Sequence, residues 1–178
     1  AAGFDELDGF IASSLAQAYV VAGELRAAIE AGERAVSIFE RRINLRAACR
    51  ALWHLNSAAN YQGEWEASLA YCGRALEHGI ALDDRRLKAV ALWRTGFVHI
   101  QCGDLQRGIE CCDEALALEP VAYDLATARM VRGYGLIKAG RIEDGIAELA
   151  DVVAWFARAQ LPYARSIAAL WLAEGHLA

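Results

Sequence analysis

Four glycines divide the chain at near-equal intervals, and the residues after each of them nearly repeat. Gly23, Gly63, Gly103 and Gly140 stand 40, 40 and 37 residues apart. Two residues after each comes a bulky apolar side chain: Leu25, Trp65, Leu105 and Ile142. Five after it is a small residue (Ala28, Ser68, Gly108, Gly145), and next to that stands Ile29, Leu69, Ile109 or Ile146. Twelve after it stands Ala35, Ala75, Ala115 or Val152. A fixed period of this length marks a repeat architecture, in which each unit buries its apolar face only by stacking on its neighbours.

The stretches before and after each glycine both carry apolar residues at three- and four-residue steps, the period of an amphipathic helix. Each unit therefore reads as a first helix (A), a tight turn and a second helix (B). The turn takes glycine because a chain reversing after a helix passes through the left-handed region, where glycine meets no steric cost. Asp104, directly after Gly103, is expected to cap the next helix. Pro120 marks the end of the third B helix, and Pro162 sits at the start of a fifth A helix. Nothing alternates with period two for long enough to make a strand. The expectation is all-α: nine helices in units of about 5–42, 43–80, 83–120 and 121–160, with a last helix over 162–178, forming one array.

The third unit, Leu92–Pro120, resembles the tetratricopeptide repeat (TPR) family. Leu92 and Gly96 match the large and small positions of helix A, Gly103 the turn, Gly108 and Ala115 the small positions of helix B, and Pro120 the terminal proline. Elsewhere Asn56 replaces the small residue, and Ala59 and His99 replace the usual tyrosine. The period of about 40 exceeds the family's 34. It is similar to the longer form found in large bacterial regulators. The resemblance implies a right-handed superhelical solenoid with A helices on the concave side and B helices on the convex side. The first residue is not Met, and the chain stops inside a helical pattern. We therefore expect a slice of a longer array, stabilised by extension past Ala178.

Composition narrows the functional classes. A net charge of −5 argues against nucleic acid as the main partner. No apolar run reaches the roughly 18 residues of a membrane span, and the first residues have no signal-peptide pattern. The five cysteines form no C-x-x-C pair and have no histidine at zinc-site spacing. They read as small buried hydrophobes of a protein in a reducing, cytoplasmic compartment. No nucleophile elbow, phosphate loop or catalytic triad is present, so neither an enzyme nor a cofactor is expected.

What remains is binding. Aligned on the turn glycines, the family's groove-lining positions fall on Phe10, Ser13, Gln17 and Val20; on Arg50, Trp53, Ser57 and Asn60; on Val90, Trp93, Phe97 and Ile100; and on Thr127, Met130, Tyr134 and Ile137. Such an aromatic stripe can be core or groove. Leu52, Leu55, Ala59, Ala91, Leu92 and Gly96 already supply a separate core stripe. The candidate ligand-binding residues are Arg50, Trp53, Asn60, Trp93, Arg94, Phe97, Met130 and Tyr134, with a protein or peptide as partner. Alternatives are self-association into a homo-oligomer and a small-molecule sensor of a bacterial transcription regulator or cyclase. A basic edge (Arg41, Arg42, Arg46, Arg50, then Arg85, Arg86, Lys88) reads as helix starts solvated beside Glu40, Asp83 and Asp84, or as a surface for an acidic partner.

Overall fold

A computed structural model describes residues 2–178, with side chains from residue 5. Among the described residues there are nine helices: α1 (Ala2–Ala22), α2 (Leu25–Arg41), α3 (Leu45–Gln62), α4 (Trp65–Ala81), α5 (Arg85–Gln101), α6 (Leu105–Ala117), α7 (Ala122–Lys138), α8 (Ile142–Arg158) and α9 (Pro162–Leu177). Two units are distinguished, one ending at Ala91 and one running Leu92–Ala178, so the division falls inside α5.

All four turn glycines adopt positive φ, from 77° to 92°. Each closes the preceding helix with a paired backbone motif. At the second, the amide of Glu64 donates to the carbonyl of Ala59 and that of Gly63 to Asn60. This satisfies carbonyls that a helix end otherwise leaves open. The B-to-A junctions enter the same left-handed region without glycine: Ile43, Asp83, Glu119 and Gln160 sit at φ between 45° and 56°, and all but Glu119, followed by Pro120 with no amide to donate, form the paired motif. Ile43 and Asn44 repeat the motif by donating to the carbonyls of Glu40 and Phe39. Asn44 and Asp84 then cap α3 and α5, accepting from Ala47 N–H and from Arg86 and Leu87 N–H. Asp104 does not cap α6. It occupies the N-cap position, but its side chain makes no capping bond and turns to His99, 3.4 Å away.

Where A and B helices of one hairpin cross, the residue pairs stand twelve apart. In the second unit Gly96 and Gly108 meet backbone to backbone: a Cβ on Gly96 would lie 2.7 Å from the Gly108 carbonyl oxygen. Gly133 and Gly145 repeat the arrangement, with 2.6 Å from a Gly145 Cβ to the Gly133 oxygen. In the first unit the corresponding pairs are Ala16 with Ala28 and Asn56 with Ser68, all buried. Cores form between hairpins. One gathers Val36, Phe39, Leu52 and Leu55, with Leu55 pressed on Gly32. A second gathers Ile137, Leu149, Val152 and Phe156, and a third Ile100, Cys112 and Val131. Four cysteines are buried as expected, but Cys102, at the end of α5, is exposed.

Candidate functional site

The second unit brings three aromatic rings together on its A helices. Phe97 (α5), Tyr134 (α7) and Trp171 (α9) are spaced 37 residues apart, so each occupies the same place in its repeat. Trp171 stacks on Tyr134 with centroids 4.5 Å apart and planes within 20°, and its centroid lies 5.8 Å from that of Phe97. All three are half-buried, so one side of the row stays open. Lys138 holds its ammonium 5.3 Å from the Tyr134 centroid, a cation–π distance, while bonding to Glu174. That bond holds Lys138 above the usual lysine range. A stacked row of this kind keeps its rings fixed before any ligand arrives, which limits the ordering cost of binding.

Trp93 and Phe97 both pack against the cluster of Ile100, Cys112 and Val131. The Trp93 indole lies 4.8 Å from the Arg94 guanidinium, and its Nε1 is buried without a hydrogen bond. Met130 does not join the row. It is 7% exposed and packs in the core with Leu149 and Phe156. The sequence places it at a groove position, but its side chain ends among the B-helix residues. In the first unit Arg50 is exposed and Trp53 is half-buried against the core around Leu52 and Leu55. Asn60 is 8% exposed, and its Oδ1 has no donor. Trp171 is absent from the residues the sequence singles out, yet adding the same 37 residues to Tyr134 finds it.

The basic edge is largely neutralised. Arg42 bonds Asp5, Arg46 bonds Asp84, and Lys88 bonds Asp83 at 2.9 Å. Burial pushes the Asp84 carboxyl up, but the Leu87 amide and Arg46 outweigh it and leave it below the usual carboxylate range. A second charged cluster has no signature in the sequence. Glu148 of α8, 6% exposed, accepts from Arg129 at 3.0 Å and from Arg132 through both oxygens, at 2.8 and 2.9 Å. Arg132 also reaches Asp113 at 2.6 Å and so ties α6, α7 and α8 together. Burial alone would lower Arg132, but its bonds to Glu148 and Asp113 hold it above its usual range. Each arginine in this cluster already has a carboxylate, which makes it a structural tie. Among the described residues no group of three His, Cys, Asp or Glu could hold a metal ion, and no helix is long and apolar enough to cross a membrane.

No family model matches the chain, and no curated protein sequence does. Solved structures do. A Rap protein complexed with Competence and Sporulation Factor matches with a TM-score of 0.77 at 15% identity, over 90% of this chain and 45% of that one. The apo form of RapI matches at 0.74 and 12% identity, over 86% of this chain and 57% of that one. A STAND protein (Signal Transduction ATPase with Numerous Domains) with a tetratricopeptide repeat sensor, from Pyrococcus horikoshii, matches at 0.74 and 16%, over 97% and 28%. The fold is a TPR-like helical repeat. The chain spans well under two-thirds of the length of each of these proteins.

Proposed function

We propose that this chain is a peptide- or protein-binding module, the sensor or scaffold part of a larger cytoplasmic bacterial regulator, and that its ligand lies along the A helices. The observation that carries the reading is the open aromatic row of Phe97, Tyr134 and Trp171, held by stacking and by Lys138. Aromatic side chains supply most of the binding energy where they anchor an interface. Trp93 and Arg94 on α5 adjoin the row in sequence, and Arg50, Trp53 and Asn60 are the candidate contacts of the first unit taken by itself. The likeness to a Rap protein solved with Competence and Sporulation Factor, and to a protein whose TPR region is described as a sensor, supports the same assignment.

The test is selection from a displayed random peptide library on the immobilised chain, with rebinding of the selected peptides to Trp171→Leu. That variant keeps an apolar body over the core and removes the stacked ring. Selected peptides are expected to bind it at least about tenfold more weakly, with the fold kept and stability lowered only by the lost ring stack, about 0.5–1.5 kcal/mol. Peptides that bind both proteins equally would place the ligand surface elsewhere.

A further inference from the structure

Neighbouring B helices close on each other at their C-terminal ends in the first unit but not in the second. Between α2 and α4 the closing group is a carboxylate. Glu40, near the end of α2, accepts from Arg74 at 3.0 and 3.1 Å and pairs with the His78 ring at 2.9 Å. Aligned on the turn glycines, Arg74 and His78 correspond to Asp151 and Trp155 of α8, and Glu40 to Pro120. Pro120 lies beyond α6, which has 13 residues where α2, α4 and α8 each have 17. The last turn of α8 therefore has no turn of α6 beside it. Ile109 and Asp113 of α6 wall the groove along α8 as far as Asp151. Past that point the wall ends, and a cleft of about 290 Å³ opens between α7 and α8, lined by Leu125, Arg129, Asp151, Trp155 and Arg158 with small neighbours. Small-molecule pockets begin near ~300 Å³, so this cleft suits one or two side chains rather than a cofactor.

The lining says what kind of side chain. Trp155 is half-buried and fixed edge-on against Phe156, with centroids 5.3 Å apart, and Leu125 is 37% exposed across from it. Of the arginines on α6, α7 and α8, Arg107, Arg129 and Arg132 each bond a carboxylate. Arg158, exposed at the end of the cleft, bonds none among the described residues. Asp151, the one acid among the lining residues, is held by Arg129 at 3.2 Å. An unpaired guanidinium beside an apolar wall fits a carboxylate carried next to a bulky apolar side chain. The guanidinium fork takes the carboxylate through two parallel bonds, and the indole takes the neighbour.

We propose that this cleft docks an acidic segment of a partner protein, with a Glu or Asp carboxylate on Arg158 and the adjoining large apolar side chain on Trp155 and Leu125. The partner supplies in the second unit the closing carboxylate that Glu40 supplies in the first. The cleft shares no residue with the row of Phe97, Tyr134 and Trp171, and the two sites are independent. The probe is the peptide acetyl-Glu-Leu-Phe-Glu-amide, with acetyl-Gln-Leu-Phe-Gln-amide as its uncharged control. Each is titrated to millimolar concentration into the isotope-labelled chain while the indole N–H signals of the five tryptophans are followed. Trp155→Phe identifies the Trp155 signal. That signal is expected to move with the acidic peptide, and the control to bind at least about threefold more weakly. Arg158→Gln, an exposed change that leaves the core untouched, is expected to weaken the acidic peptide at least about threefold, as is added salt. Trp171→Leu is expected to leave its binding unchanged. Equal binding of the two peptides, an unmoved Trp155 signal, or a shift abolished by Trp171→Leu but not by Arg158→Gln would overturn the proposal. So would an apparent mass that rises with concentration and is lowered by Arg158→Gln, which would make the occupant a second copy.

Discussion

Asn56 and Ser68 exchange hydrogen bonds at the crossing of α3 and α4: the Asn56 amide donates to Ser68 Oγ at 2.8 Å, and Ser68 Oγ donates to the Asn56 carbonyl at 3.1 Å. Twelve residues apart, they hold the place that Gly96–Gly108 and Gly133–Gly145 hold in the second unit. Bare backbones can touch there, whereas an asparagine requires a partner for its buried amide. Ser68→Ala removes the 2.8 Å acceptor and the donor to the Asn56 carbonyl, and is expected to cost about 1–2 kcal/mol in urea unfolding. In a cycle with Asn56→Ala, the double variant should lose measurably less than the two single losses together. Strict additivity would show that the two side chains are not coupled.

The glycine crossings make the opposite demand. Alanine at Gly96 would put a Cβ 2.7 Å from the Gly108 carbonyl oxygen, and the backbone there has little freedom to yield. We expect Gly96→Ala to destabilise by about 1–3 kcal/mol. Gly73, exposed in the middle of α4, has nothing within 4 Å of the same added atom. Gly73→Ala should instead stabilise by roughly 0.5–1 kcal/mol through helix propensity alone. Thermal unfolding of the two variants should move in opposite directions.

The B-to-A turns hold ordinary residues in a glycine conformation. Ile43 is a β-branched residue at φ 56°, 80% exposed, with no packing to repay the strain. Ile43→Gly is expected to raise stability by about 0.5–1 kcal/mol, the relieved strain exceeding glycine's entropy in the unfolded chain. A lowered melting temperature would mean that the isoleucine side chain contributes more than its exposure implies.

Thiol chemistry should separate Cys102 from the other four cysteines. Burial pushes the Cys49 thiol up to about 11, and burial likewise raises Cys111 and Cys112, so the reactive thiolate is suppressed. At pH 8 an aromatic disulfide reagent should titrate one thiol rapidly in the native chain and all five in denaturant. Cys102→Ser should abolish the fast phase.

Glu148 joins α7 to α8 through charge, and Arg132 carries the tie on to Asp113 of α6. Glu148→Gln keeps the shape and leaves Arg129 and Arg132 without their shared buried carboxylate. The expected loss is about 2–3 kcal/mol, less than for a fully buried pair because each guanidinium keeps about a third of its exposure. Urea midpoints measure it, and a loss below about 0.5 kcal/mol would show that Asp113 and Asp151 suffice.

Much of the fold is legible in the residues alone. The period, the helix pairs and the left-handed glycines come from local rules: apolar spacing sets a helix face, and a positive φ selects glycine. The same locality explains what the sequence hides. Ile43, Asp83, Glu119 and Gln160 adopt glycine's conformation with no composition signal, because the helix packing on either side overrides their preference. Asp104 has a capping residue's identity, but His99 draws its side chain away.

The candidate site divides in the same way. Register alone puts Trp93, Phe97 and Tyr134 on the A helices at positions facing one way, and carried one period further it includes Trp171. Whether an apolar residue on that face lines a surface or fills a core depends on which neighbours close over it. Only the packing of α7 against α8 buries Met130 while leaving Tyr134 half-open, and only α9 brings a ring to stack on it. Sequence determined which residues recur at equivalent places, because backbone geometry is periodic. Tertiary structure decided which of them remain exposed and which charges meet around Glu148, because burial and ion pairing are set by contacts between residues far apart in the chain.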